Sequence, residues 1–166
     1  SGEPVRQFLD AGANPPNGVV VNYYLGEHPT DPVTLAFLDA DGNEIAGFSP
    51  EERKGQDDDV LKARVPLETG MNRFVWDMRY PPARDVPGNN TTGDATHAGP
   101  LAPPVVYQVR LTVGEESQTE SFELVKQPGV AATEEDLRAQ FDLSIEMRDK
   151  LSEVHDGVNR LLSVRD

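Results

Sequence analysis

Until about residue 125 the apolar residues come in short runs on every second position, and from Thr133 onward they fall on every third or fourth. A two-residue repeat places side chains on alternate faces of a strand, whereas a 3.6-residue repeat gathers them on one stripe of a helix. The chain therefore divides into a β region followed by a single helical segment. With no helical segment between the strands, antiparallel pairing is expected throughout.

The strand runs can be read individually. Val19, Val21, Tyr23 and Leu25 share one face, as do Val33, Leu35 and Phe37. Asp41-Gly42 suits the positive φ angles of a two-residue hairpin leading into Ile45-Ala46-Gly47-Phe48. Leu61, Ala63 and Val65 alternate with Lys62 and Arg64, and Phe74, Trp76 and Met78 alternate with Arg73, Val75 and Asp77. Tyr107, Val109, Leu111 and Val113 form a further face, followed by a Gly114-Glu115-Glu116 turn and a last strand carrying Phe122 and Leu124. About seven short strands with turn residues between them predict two antiparallel sheets packed face to face over residues 18–126. Residues 1–17, rich in Gly, Pro and Asn, read as an entry linker with Phe8 and Leu9 as a tether, and residues 127–132 as a second linker.

In the segment 133–166, Thr133 followed by Glu134, Glu135 and Asp136 reads as an N-cap with acids in the first turn, which the helix dipole favours. Leu137, Phe141, Ile145, Leu151, Val154, Val158 and Leu161 then recur at helical spacing over about nine turns, a rod of roughly 50 Å, with Gly157 marking a place for a kink. Such a rod exceeds an ordinary sandwich. Its later apolar positions approach a heptad seam, so its free part is expected to meet a helix of the same or another subunit. No C-capping signal precedes Asp166, and the helix is expected to continue beyond it.

Charge narrows the function classes. The chain carries 29 Asp and Glu against 15 Lys and Arg, a net charge of −14, a field that repels phosphate backbones and anionic membrane surfaces. Nucleic-acid binding and membrane insertion are not expected, and no apolar run approaches the roughly 20 residues of a membrane span. The absence of cysteine removes disulfides, thiolate metal sites and cysteine nucleophiles together.

The candidate chemistry is sparse. Asp39, Asp41 and Asn43 alternate as at the start of a calcium loop, but Gly42 falls at the fourth position and no Glu stands at the twelfth, so a hairpin turn is the expectation. Asp57-Asp58-Asp59 reads as a solvated loop, since adjacent side chains on an extended chain point apart. His28, His97 and His155 have no second histidine at ligand spacing and read as surface residues. Trp76 with Tyr23, Tyr24, Tyr80 and Tyr107 has the composition of a sugar-stacking platform, yet the register of Trp76 with Phe74 favours core packing. Asn89-Asn90-Thr91-Thr92 holds two overlapping glycosylation sequons. No Gly-x-Ser-x-Gly elbow, phosphate-binding loop or His-Glu-x-x-His helix occurs.

Two stretches carry a resemblance: Gly70-Met71-Asn72-Arg73-Phe74-Val75-Trp76-Asp77-Met78-Arg79-Tyr80, and Gly99-Pro100-Leu101-Ala102-Pro103-Pro104 leading into Tyr107-Gln108-Val109-Arg110-Leu111-Thr112-Val113. With Asn14-Pro15-Pro16-Asn17-Gly18-Val19-Val20-Val21-Asn22-Tyr23-Tyr24-Leu25 and the helix stretches Leu137-Arg138-Ala139-Gln140-Phe141-Asp142 and Arg148-Asp149-Lys150-Leu151-Ser152, the chain resembles the immunoglobulin-like C-terminal region of bacterial sortilin-type, Asp-box (BNR) repeat propeller proteins. More distantly, Asn72-Arg73-Phe74-Val75-Trp76-Asp77 is similar to a strand of the immunoglobulin-like domain of flagellar hook-capping proteins, with Val105-Val106 standing where that domain has Gly before Tyr107.

The resemblance implies an immunoglobulin-like or fibronectin-like sandwich in an exported bacterial protein, periplasmic, cell-surface or extracellular, with its signal peptide upstream. Family members are often labelled glycosyl hydrolases, but the Asp-box repeat itself is absent from this chain, so any hydrolase activity is expected upstream.

The expectation is a non-catalytic accessory or docking module, without cofactor or metal. Its partners would be the upstream propeller of the same chain, or a helix of the same or another subunit. The alternative is a carbohydrate-binding module of a glycoside hydrolase-like protein. The segment from Arg79 to Pro104, long for a loop, is the favoured interaction surface through Arg79 and Tyr80, together with Leu151, Val154, Val158 and Leu161 of the helix.

Overall fold

A computed structural model describes residues 14–51, 63–86 and 98–165. The expectations for Phe8, Leu9, Asp57-Asp58-Asp59, Leu61, Asn89-Asn90 and His97 lie outside the described residues. Among the described residues six strands and one helix follow in order: β1 (Val19–Leu25), β2 (Val33–Leu38), β3 (Glu44–Phe48), β4 (Gly70–Trp76), β5 (Val106–Val113), β6 (Glu116–Glu123) and α1 (Glu134–Arg165).

The strands form two antiparallel sheets, one of β1 and β4 and one ordered β3-β2-β5-β6. Their facing residues make one core. Tyr23 and Leu25 of β1 and Phe74 and Trp76 of β4 meet Leu35 and Phe37 of β2, Ile45 of β3 and Tyr107 of β5. The centre is aromatic: Phe37 stacks on Trp76 across the sheets at 4.4 Å between ring centroids, and Trp76 meets Tyr107 edge-on at 5.9 Å. Such pairs add roughly 0.5–1.5 kcal/mol beyond the apolar area they bury. The polar atoms of this layer are satisfied. Asn72 holds the entry to β4 through Glu68 and Gly70, the Tyr23 hydroxyl donates to Pro66 O, and the Tyr107 hydroxyl donates to Pro103 O at 2.9 Å.

Several boundaries differ from the sequence reading. Among the described residues no strand covers 63–68. Val65 is buried and donates one backbone bond to Ser49, but Pro66 has no N–H with which to extend a ladder. The run containing Phe74 and Trp76 stops before Met78, which takes a positive φ of 62°. The Asp77 carboxylate accepts the Arg79 N–H, and the Trp76 indole donates to Arg79 O, so the chain turns there instead of continuing the pleat.

The β2–β3 connection is not a two-residue hairpin but the loop 39–43, because the Asp39 carboxylate captures the N–H groups of Asp41 and Asn43 and the Asn43 amide. At the last hairpin, Gly114 takes a positive φ of 58° and Glu116 already pairs with Val113, so the turn is Gly114-Glu115 and Leu124 lies past the end of β6.

The helix α1 has 32 residues, about 48 Å. Thr133 and Asp136 cap it reciprocally: the Thr133 hydroxyl accepts the Asp136 N–H at 3.1 Å, and the Asp136 carboxylate accepts the Thr133 N–H at 2.8 Å. These bonds hold the Asp136 carboxyl below its usual pKa.

Candidate functional site

Two surfaces carry the functional questions, and both are built on α1. The first is the stripe by which the helix docks on its own chain. Tyr80 packs on Phe141 at 4.8 Å between centroids. Beyond it, Pro81-Pro82 leads a limb that runs along the helix and bonds to it through backbone groups. Arg148 donates to Pro81 O, the Ser152 hydroxyl accepts the Arg84 N–H at 3.1 Å, and the Asn159 amide donates to Asp85 O at 3.0 Å. His155 is buried, and its Nδ1 bonds to Arg84 O, a carbonyl that can only accept, so Nδ1 carries the proton. An Arg84–Asp156 ion pair at 2.5 Å lies at the exposed edge.

This stripe corrects one expectation. His155 is not a surface residue. The helix is covered well past the sandwich, because residues 79–86 reach along it. Within the described part of the Arg79–Pro104 segment, Tyr80 is half-buried under Phe141, Arg79 is half-buried with its Nη1 on Gly99 O at 2.8 Å, and Leu101 is exposed. Sequence patterning missed the stripe because Arg148, Ser152, His155 and Asn159 are polar. Their spacing of three and four was the available signal.

The second surface is a neighbouring stripe of α1, about 100° further round the helix. Met147, Leu151, Val154, Val158 and Leu161 alternate spacings of four and three, the rhythm of a coiled-coil seam. Leu151 is half-buried, but Val154, Val158 and Leu161 are 61%, 37% and 74% exposed. Here the structure brings together four of the predicted residues.

Between α1 and the end of the sandwich lies an open cleft of about 990 Å³. Its walls come from residues 98–104, 124–127 and the 137–151 stretch of the helix. Among the described residues Arg79, Lys126 and Arg148 line it, and no Asp or Glu does. The sequence offered no signal for it, since its walls come from segments distant in the chain.

Elsewhere the candidates resolve into structure. The Asp39 carboxylate is engaged by the loop it organises, its pKa lowered chiefly by the Asn43 side chain. No group of three or more metal-capable side chains occurs among the described residues. Trp76, Tyr107 and Tyr23 are buried, and Tyr24 is the one exposed aromatic ring among the described residues. Burial pushes the Tyr23 phenol up to about 12 and raises Tyr80 and Tyr107 above the ordinary range. No helix among the described residues is long and apolar enough to cross a membrane. Comparison with known protein families, with curated proteins and with solved structures finds no match to this chain.

Proposed function

We propose that this chain is a non-catalytic docking module, an immunoglobulin-like sandwich that anchors a helix whose outer seam engages another helix. The observation that carries this reading is the division of α1 into two stripes. One stripe is occupied by the chain's own loop, and the other holds Leu151, Val154, Val158 and Leu161 at heptad spacing with the last three exposed. Holding one face of a helix while leaving a regular apolar seam on another fixes the direction in which a second helix can pack. The partner is a helix of a longer parent polypeptide or of another subunit. On the resemblance in Gly70–Tyr80, that parent is an exported bacterial propeller protein.

A single thiol tests this. The chain has no cysteine, so Val154→Cys is a unique probe. Maleimide labelling of V154C is expected to be fast in the isolated chain and at least about tenfold slower in the parent assembly, as for a desolvated seam position. Equal labelling rates in the two would overturn the docking reading.

A further inference from the structure

The cleft between α1 and the sandwich runs against the charge of the chain as a whole. Roughly one residue in six of the chain is acidic and the net charge is −14, yet among the described residues the lining holds three cations and no acid. Its volume, about 990 Å³, lies at the upper end of small-molecule sites, about 300–1,000 Å³. The walls are apolar and largely uncovered: Leu101, Val125 and Met147 are each more than half exposed, and Val130 and Phe141 lie beside them.

The cations are placed to receive an anion. Arg79 spends Nη1 on Gly99 O at 2.8 Å, and Lys126 donates to Ala132 O at 2.8 Å; neither forms a salt bridge among the described residues. A guanidinium has five N–H donors, so one bond to a carbonyl orients Arg79 and leaves donors for a carboxylate. Arg148 is bridged to Asp149 at 2.7 Å and adds less net charge.

The backbone is shaped around this end of the cleft. A Cβ on Gly99 would fall 1.7 Å from Tyr80 O, so only glycine lets this strand of chain press against Tyr80-Pro81. That contact sets the carbonyl holding Arg79 beside Pro81, whose own carbonyl accepts from Arg148 at 3.3 Å. Two guanidinium side chains are thereby anchored to touching stretches of backbone.

The geometry points to a binding site for a small amphiphilic anion, with its carboxylate at Arg79 and its apolar body along Leu101, Val125 and Met147. The field of the whole molecule opposes this ligand, since a strongly acidic surface attracts cationic amphiphiles instead. Any preference for the anion has to arise in the cleft, which makes the sign of the preference diagnostic.

The test is calorimetric titration of the whole chain with sodium dodecanoate and with dodecyltrimethylammonium, both kept below micelle formation. Dodecanoate is expected to bind at one site and at least about tenfold more tightly than the cation, a difference of about 1.4 kcal/mol. Arg79→Gln is expected to remove that preference and Arg79→Lys to retain part of it. Should R79Q fold poorly, Leu101→Asp at an exposed wall position is expected to abolish binding of the anion alone. Arg73→Gln, the same charge change on the exposed face of β4, is expected to leave binding unaltered. Equal binding of the two amphiphiles, no binding of dodecanoate, or dodecanoate binding that survives both R79Q and L101D would overturn the assignment.

Discussion

The sandwich and the helix belong to one chain but are held by different forces. In the sandwich, Phe37 alone contacts the rings of Phe48, Phe74, Trp76 and Phe122, and both sheets contribute to a single apolar core. Along α1, one ring pair, Tyr80 on Phe141, is followed by side chains bonding to the backbone of a loop. Apolar burial scales with area and is insensitive to small shifts, whereas hydrogen bonds add about 0.5–1.5 kcal/mol each and depend on alignment. The difference teaches that the sandwich is the cooperative unit and the helix a docked attachment with its own, lower opening free energy.

The largest expected effect falls on the sandwich. Trp76→Ala removes the ring at the centre of the core and is expected to cost about 3–5 kcal/mol. Urea unfolding followed by far-ultraviolet circular dichroism checks this, because the variant lacks the only tryptophan. A midpoint equal to wild type would mean that the sheets do not share one core.

A smaller and local effect is expected at the docked stripe. His155→Ala leaves Arg84 O without its buried donor, a cost of about 1–3 kcal/mol. Amide hydrogen exchange is expected to quicken in α1 and residues 80–86 while β2 and β5 keep their protection. Equal acceleration in β5 would join the two regions into one unit and end the comparison.

The smallest effect belongs to the cap. Thr133→Ala is expected to cost about 1 kcal/mol at the start of α1. Because the Thr133 bonds lower the Asp136 pKa, the cap contributes fully above the ordinary aspartate value near 4 and is lost as pH falls below it, through the lower folded-state value. Helicity by circular dichroism is expected to show an acid step in wild type that is smaller in T133A, which keeps the backbone N–H bond to Asp136 but loses the hydroxyl. A T133A profile that superimposes on wild type would remove the cap from the account of the helix.

The β region was legible where alternation was strict. The faces Val19–Leu25, Val33–Phe37 and Tyr107–Val113 appear as strands because each buries one side against the facing sheet. It was misread where a side chain competes with the ladder for backbone groups. Asp39 and Asp77 draw the chain into turns, and the apolar count on either side of them gives no sign of it. The exposed seam of the candidate site was legible because it is apolar and periodic. The docked stripe and the cleft were not, the one being polar and the other assembled from the distant segments around Arg79, Leu101, Lys126 and Met147.

The sequence by itself determined the order of elements, the inward faces of the main strands, the helix and its start at Thr133, since each depends on neighbours within a few residues. Only the tertiary structure decided which stripe of α1 is covered, that His155 is buried, and that the cations Arg79, Lys126 and Arg148 line one cleft. These depend on contacts between residues some 70 positions apart, such as Arg84 with His155, and no local period encodes the path of a loop across a helix.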